Sequence, residues 1–313
     1  MRALITGVLG QDGSYLADIL LSRGYEVHGL YRHSSKDNLQ NVSHNLDNPC
    51  FKLHKGDVID GLCLDMLIER LQPDEIYHMA DQDNVDWSYK IPSYQIEITV
   101  KAVVNLLTSV HHRCPRAKVF LPCSATMFGS AQAPQTEETP FDPRSPYACA
   151  KVAVYHIARM YRQNYNLYVN VGIMFNHDSP RRNGNYLLHK ICKAAVTGEK
   201  VAMFDVEQEV AIGYAEDYMR YVCDMMQLPA SSDYTVCNVC VKTIRSLCST
   251  ACFLADTNVN DCFDVTKSSW SYRSPTLFSR SEKLNAAVNI RRHAHHNDVD
   301  LLQSIITKYR SVQ

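Results

Sequence analysis

The chain has 313 residues, 46% of them apolar, with 32 basic against 33 acidic side chains and a formal net charge of -1. That length suits one large α/β unit with an appended lobe, and the balanced charge gives no electrostatic case for nucleic acid or an anionic membrane as partner. No run approaches the ~20 apolar residues of a membrane span, and twelve scattered cysteines read as reduced, buried thiols of a cytoplasmic protein.

The elements alternate from the start. MRALITG runs straight into a strand at Arg2–Thr6, with no leader pattern. A helix is predicted over Ser14–Arg23, a strand over Tyr25–Tyr31 and a third strand over Phe51–His54. Then follow a helix at Gly61–Leu71, a strand at Glu75–Ala80, a helix at Val100–His112 and a strand at Lys118–Leu121. A long helix at Tyr147–Asn164 precedes a sixth strand at Leu167–Met174. Such alternation implies an α/β fold, a Rossmann-type doubly wound parallel sheet with helices on both faces. Past Phe175 the pattern loosens into helices at Gly184–Thr197, Tyr214–Met226, Thr243–Leu254 and Asp298–Tyr309, separated by short strands and loops.

The turn after the first strand carries the first chemistry. LITGVLGQDGSYLADIL places Gly7, Gly10 and Gly13 at G-x-x-G-x-x-G spacing, with Gln11 and Asp12 in the same turn. Glycine permits positive φ and close approach of a pyrophosphate, and the helix start supplies free N–H groups. The strand–turn–helix context makes this a dinucleotide site. The second strand ends EVHGLYRHSSKDN, with Arg32, Ser34 and Ser35 but no acid at its tip. That chemistry suits a 2′-phosphate, hence NADP. Asp57 and Val58 follow the third strand where an adenine would lie, and Met79 ends the fourth beside the pyrophosphate and ribose. The expected division is an NADP-binding domain over 1–170 and a smaller α/β substrate lobe over 171–313, partly interleaved with it.

SPYACAK sets Tyr147 and Lys151 four apart, on one helix face. An ammonium beside a phenol is expected to lower its pKa. The phenolate can then take a proton from a sugar hydroxyl while hydride leaves the same carbon. Ser124, in PCSATMFG at the tip of the fifth strand, completes the set. Other clusters read as structural. Cys237, Cys240, Cys248 and Cys252 include one C-x-x-C, but TVCNVCVKTI reads as a strand entering a helix, which points the sulfurs apart. RRHAHH at 291–296 reads as a solvated loop, and no metal is expected.

Four stretches, LITGVLGQDGSYLADILLSRGYEVHGLYRHSS, TPFDPRSPYACAK, FNHDSPRRNGNYLLHKI and YAEDYM, resemble the extended short-chain dehydrogenase/reductase family, and within it the GDP-mannose 4,6-dehydratases. The resemblance implies a nucleotide-diphosphate sugar as substrate, GDP-mannose or a relative. Asn176 would contact it, Arg181 and Arg182 would shape the pocket, Lys190 would approach the diphosphate, and Arg273 in SYRSPT would bind base or phosphate. It also implies the reaction. The hexose is oxidised at C4, a carboxylate removes the C5 proton as the C6 hydroxyl leaves as water, and hydride returns to C6. A homodimer or homotetramer is implied, built on the helices Val100–His112 and Tyr147–Asn164 lying side by side.

The chain departs from that pattern in two places. Where the family has Ser-Thr-Ser-Glu, it reads Cys123-Ser124-Ala125-Thr126. Ser124 can replace the threonine hydroxyl. Thr126 cannot replace the carboxylate, because an aliphatic hydroxyl stays protonated near neutral pH whereas a Glu at ~4.3, raised by burial, can act as base. DQDNV puts Asp81 and Asp83 where the family has small residues near the hexose, so Asp83 is the candidate for the C5 proton. The family's Lys-Arg-Asp-Trp-Gly is here Glu209-Val210-Ala211-Ile212-Gly213, which removes one charge-assisted contact worth ~1.5–3 kcal/mol. Three functions stay open: a 4,6-dehydratase with an altered base, a 4-keto reductase or 4-epimerase that needs no C5 base, and a catalytically weak NADP-binding protein.

Overall fold

A computed structural model of the chain describes residues 1–33, 39–237, 241–266, 276–288 and 296–311. Six strands follow in chain order: β1 (Arg2–Thr6), β2 (Glu26–Tyr31), β3 (Phe51–Lys55), β4 (Glu75–His78), β5 (Lys118–Ser124) and β6 (Val169–Met174). A later strand, Asp233–Val236, pairs in parallel with β6. The resulting seven-stranded sheet runs Asp233–Val236, β6, β5, β4, β1, β2, β3, parallel throughout. Its central strands are apolar on both faces because helices cover both: Ala3, Leu4 and Ile5 are fully buried, as are Val119, Phe120 and Leu121. The strand order reverses between β1 and β4. At such a switch point the connecting loops part, leaving a crevice at the carboxyl ends of the strands.

The helices begin where local chemistry allows. The Ser145 hydroxyl accepts a hydrogen bond from the Ala148 N–H at 3.1 Å, and Pro146 opens the first turn of the helix Pro146–Tyr165. Asn166 ends that helix in the left-handed region, at φ 54°. The Thr108 hydroxyl lies 2.8 Å from the Tyr161 hydroxyl, which ties the helix Ala102–Arg113 to Pro146–Tyr165.

Several boundaries differ from expectation. The first helix starts at Gln11, not Ser14, because Gly10 takes the extended conformation of an N-cap. The fourth strand stops at His78, so Met79 and Ala80 turn away to face Gly7. The fifth runs on to Ser124. The chain also returns to the sheet late. Besides the strand Asp233–Val236, the helix Ala215–Met225 packs on Gln11–Ser22. A second core, with Leu188, Ile191, Ala251, Leu302 and Ile305, joins the helices Leu187–Thr197, Ile244–Ala255 and Asp298–Arg310.

Two histidines make the fold acid-sensitive. Burial pushes His78 down to about 4, where Nδ1 lies 3.0 Å from the Thr6 hydroxyl. Burial, together with the neighbouring His28, pushes His54 to about 4 as well. Both are neutral when folded, while an unfolded histidine titrates near ~6.5. Their contribution is therefore complete above ~6.5 and is lost as pH falls towards 4. Thermal unfolding across that window is expected to show a falling midpoint, and His78→Gln is expected to flatten the decline.

Candidate active site

Gly7 stands at the switch point with φ +68°. A Cβ there would lie 2.7 Å from the Ala80 N and 2.8 Å from the Met79 carbonyl carbon, so only glycine lets β1 and β4 open into the crevice side by side. The Gly10 N–H donates to the Gly7 carbonyl at 3.0 Å. A Cβ on Gly13 would collide with that same carbonyl. Gln11 and Asp12 tie the turn to the segment after β6. Gln11 Oε1 accepts from the Ser179 hydroxyl at 2.9 Å, and Asp12 Oδ2 lies 3.0 Å from His177 Nε2. Burial opposes charge on both partners, but the pair's mutual field and hydrogen bond, with further hydrogen bonds nearby, outweigh it: the carboxyl is lowered and the imidazole raised.

Above this turn opens a cavity of about 340 Å³, lined by Gly7, Arg32, Asp57, Val58, Ala80 and Asp81 among others. A left-handed glycine at the floor, a helix N-terminus beside it and a cavity along the strand ends fit a dinucleotide. Arg32 is exposed on the rim and donates to the Tyr94 hydroxyl at 2.9 Å. Asp57 Oδ1 accepts from the Ile59 N–H at 3.0 Å, and Val58 is buried. Met79 is half-buried, its N–H on the Thr6 carbonyl at 3.1 Å. Ser34 and Ser35 lie outside the described residues.

Ser124 ends β5, and Tyr147 and Lys151 occupy the first turns of Pro146–Tyr165 beside it. The Lys151 ammonium is 5.6 Å from the Tyr147 ring centre. It donates to the Pro122 carbonyl at 2.7 Å and is ion-paired with Asp81 Oδ2 at 2.6 Å. Contrary to the expectation of an acidic phenol, Tyr147 is pushed up to about 12. Burial dominates, and the charges of Asp81 and Asp83 add to it. Lys151 and a hydrogen bond with Ser124 pull the other way and lose. Lys151 itself is raised: burial lowers it, but Asp81, together with Tyr147 and Cys123, outweighs that. Thr126 donates its hydroxyl to Ser124 Oγ at 2.9 Å.

On the far wall, both oxygens of Asp83 are engaged. Oδ2 accepts from Arg182 at 2.9 Å and Oδ1 from the Tyr186 hydroxyl at 3.0 Å. The Arg182 guanidinium also stacks on the Tyr186 ring at 3.6 Å and donates to the His177 carbonyl at 2.9 Å. Asp83 is thus a tether across the crevice. Arg181 points elsewhere, over the Tyr15 ring at 3.9 Å and onto Asp18. Asn176 is exposed, its carbonyl held by the Gly213 N–H at 3.0 Å. Lys190 is exposed on the helix Leu187–Thr197, and Arg273 lies outside the described residues. Cys237 packs in the sheet core while Cys248 and Cys252 pack in the second core; Cys240 and residues 291–295 lie outside the described residues. His296 lies 3.0 Å from Asp217 Oδ1.

Residue-type reasoning missed His177 and Tyr186. Both fall within the FNHDSPRRNGNY stretch, the one signal that could have found them.

Residues 4–310 match the family described as GDP-mannose 4,6 dehydratase. The chain is 36% identical over 280 residues to GDP-mannose 4,6 dehydratase 1 of Arabidopsis thaliana, covering 85% of this chain and 78% of that protein. It is 36% identical over 258 residues to the GDP-mannose 4,6 dehydratase of Homo sapiens, covering 78% and 69%. Among solved structures, a dTDP-glucose 4,6-dehydratase of Streptomyces venezuelae superposes with TM-score 0.89 at 21% identity, covering 99% of this chain and 97% of that one. A UDP-glucuronic acid 4-epimerase of Bacillus cereus superposes with TM-score 0.89 at 18% identity over the whole of both chains. These two show the fold. With a family match across nearly its full length, the chain belongs to the GDP-mannose 4,6-dehydratase family.

Proposed function

We propose that this enzyme converts a nucleotide-linked hexose, GDP-mannose or a close relative, to its 4-keto-6-deoxy form, using NADP. The observation that carries the reading is the meeting of Ser124, Tyr147 and Lys151, joined through the Lys151–Asp81 pair to the wall of the cavity above the Gly7 turn. A nicotinamide dinucleotide held there would supply the hydride acceptor for the sugar's C4 and the hydride donor for C6. The Gly7 turn and the first helix would hold its pyrophosphate end. Arg32 on the rim supplies the cation that a 2′-phosphate needs, which favours NADP over NAD. Tyr147, in its ionised form, takes the C4 hydroxyl proton, and Ser124 orients that oxygen.

The C5 proton needs a carboxylate, and Asp83 is the candidate. Its tether to Arg182 suggests how it is released: the substrate's diphosphate competes for the guanidinium and frees one carboxylate oxygen. Asp83→Asn is expected to stop water loss while hydride transfer from C4 continues, so that reduced cofactor accumulates. Absorbance of reduced cofactor and of the 4-keto product in alkali separates the two steps. If Asp83→Asn dehydrates at the wild-type rate, the base lies elsewhere.

One observation favours a second reading. Asp81 is paired with Lys151, Asp83 with Arg182, and position 126 holds a hydroxyl rather than a carboxylate. A 4-keto reductase or 4-epimerase needs no C5 base. Incubation with GDP-mannose and NADP distinguishes them: a dehydratase recycles its cofactor, whereas a reductase consumes NADPH only with a 4-keto sugar. The proposal includes a cytoplasmic location and a homodimer or homotetramer. Exposed Val104 and Met160 on the two linked long helices support the assembly.

A further inference from the structure

The pairing of Lys151 is the least expected feature of the site. Its ammonium is buried and lies 2.6 Å from the half-buried Asp81 carboxylate, and the Thr99 hydroxyl donates to the other carboxylate oxygen.

The charges around the pair can be counted. Lys151 faces Asp81 from the loop after β4, the Cys123 thiol from β5, His78 at the end of β4, and Tyr147 one turn back on its own helix. Tyr147 faces Lys151, Asp81, Asp83 and the Ser124 hydroxyl. Burial pushes the Cys123 thiol up to about 12 and His78 down to about 4, so both are neutral at working pH. Asp83 is already answered by Arg182 at 2.9 Å. The charge balance at the phenol therefore turns on Asp81 and Lys151. A dipole of opposite charges in contact exerts far less field than a lone ammonium.

We propose that Asp81 is a positioning residue for Lys151: its carboxylate captures the ammonium that would otherwise act on the Tyr147 hydroxyl, and so adds to the burial that keeps the phenol in its neutral, proton-donating form. This rests on Tyr147 and Lys151 serving the hydride step. It adds that the oxidative direction, which needs the phenolate, sets in at higher pH here than it would without Asp81. The reductive direction, which needs the phenol, is favoured over a wider pH range.

The test reads the phenol directly and requires no turnover. Tyrosine ring carbons are labelled with ¹³C in the protein without cofactor, and the Tyr147 signal is assigned by its loss in Tyr147→Phe. In the wild type that signal is expected to stay unshifted to about pH 10.5, past the ordinary tyrosine value of ~10. In Asp81→Asn its midpoint is expected to fall by at least about one unit, roughly tenfold more phenolate at a given pH. Asp81→Glu, which keeps the carboxylate, is expected to behave as the wild type. Should Asp81→Asn not fold, Asp81→Ala is read in its place. An unshifted signal in the variant overturns the proposal. So does an equal shift from Asp83→Asn in the presence of Asp81. Because no sugar is involved, the result stands apart from whether the enzyme dehydrates GDP-mannose.

Discussion

Tyr147→Phe is expected to lower turnover by roughly 10²–10⁴-fold, the usual worth of a positioned acid–base group, with dinucleotide binding retained. The ring stays, so the packing of this buried residue survives. The oxygen proposed to exchange the sugar's proton is gone. The expected signature is a fall in kcat with little change in KM, because the hydroxyl acts on the reacting atoms and contributes little to ground-state binding. Fluorescence of bound NADPH checks the cofactor site in the same sample. A variant that turns over at the wild-type rate would remove Tyr147 from the chemistry, whatever the fold.

Gly7→Ala is expected to weaken dinucleotide binding about tenfold or more and to lower the melting temperature. Two effects combine. The residue sits at φ +68°, where a side chain costs of order 1–3 kcal/mol. Its Cβ would also lie 2.7 Å from the Ala80 N, on backbone that cannot rotate away. The strand ends must then part, and those ends are the walls of the crevice. Gly24→Ala is the control. Gly24 has φ +79° but open space around a Cβ, so that variant should lose some stability and bind the dinucleotide normally. Equal binding by Gly7→Ala and the wild type, measured by titration with NADPH, would show that the pyrophosphate does not approach this turn.

Local patterns were readable because they need only neighbours in the chain. The Gly7–Gly13 spacing declares itself through a strand before and a helix after. Tyr147 and Lys151 share a face because helix geometry puts residues four apart together. The six strands up to Met174 follow from apolar runs of the right length, and the boundaries that moved did so at caps and turns. The return of Asp233–Val236 to the sheet was not readable, since a short strand carries no mark of which edge it will join. Neither were the pairs that set the charge of the site. Asp12 meets His177 across 165 positions, and Asp83 meets Arg182 across 99.

Sequence alone was enough to specify a parallel α/β sheet, a glycine-rich turn at its first crossover and a Ser-Tyr-Lys set on β5 and the helix that follows it. Each of these is written within a few residues, by backbone freedom at glycine or by helical spacing. The protonation of Tyr147 was decided only by the fold. Spacing predicted an ammonium acting on a phenol, but the parallel pairing of β4 with β5 carries Asp81 onto that ammonium in a buried place. Charge and burial depend on what tertiary packing brings together, and they outweigh the local pairing.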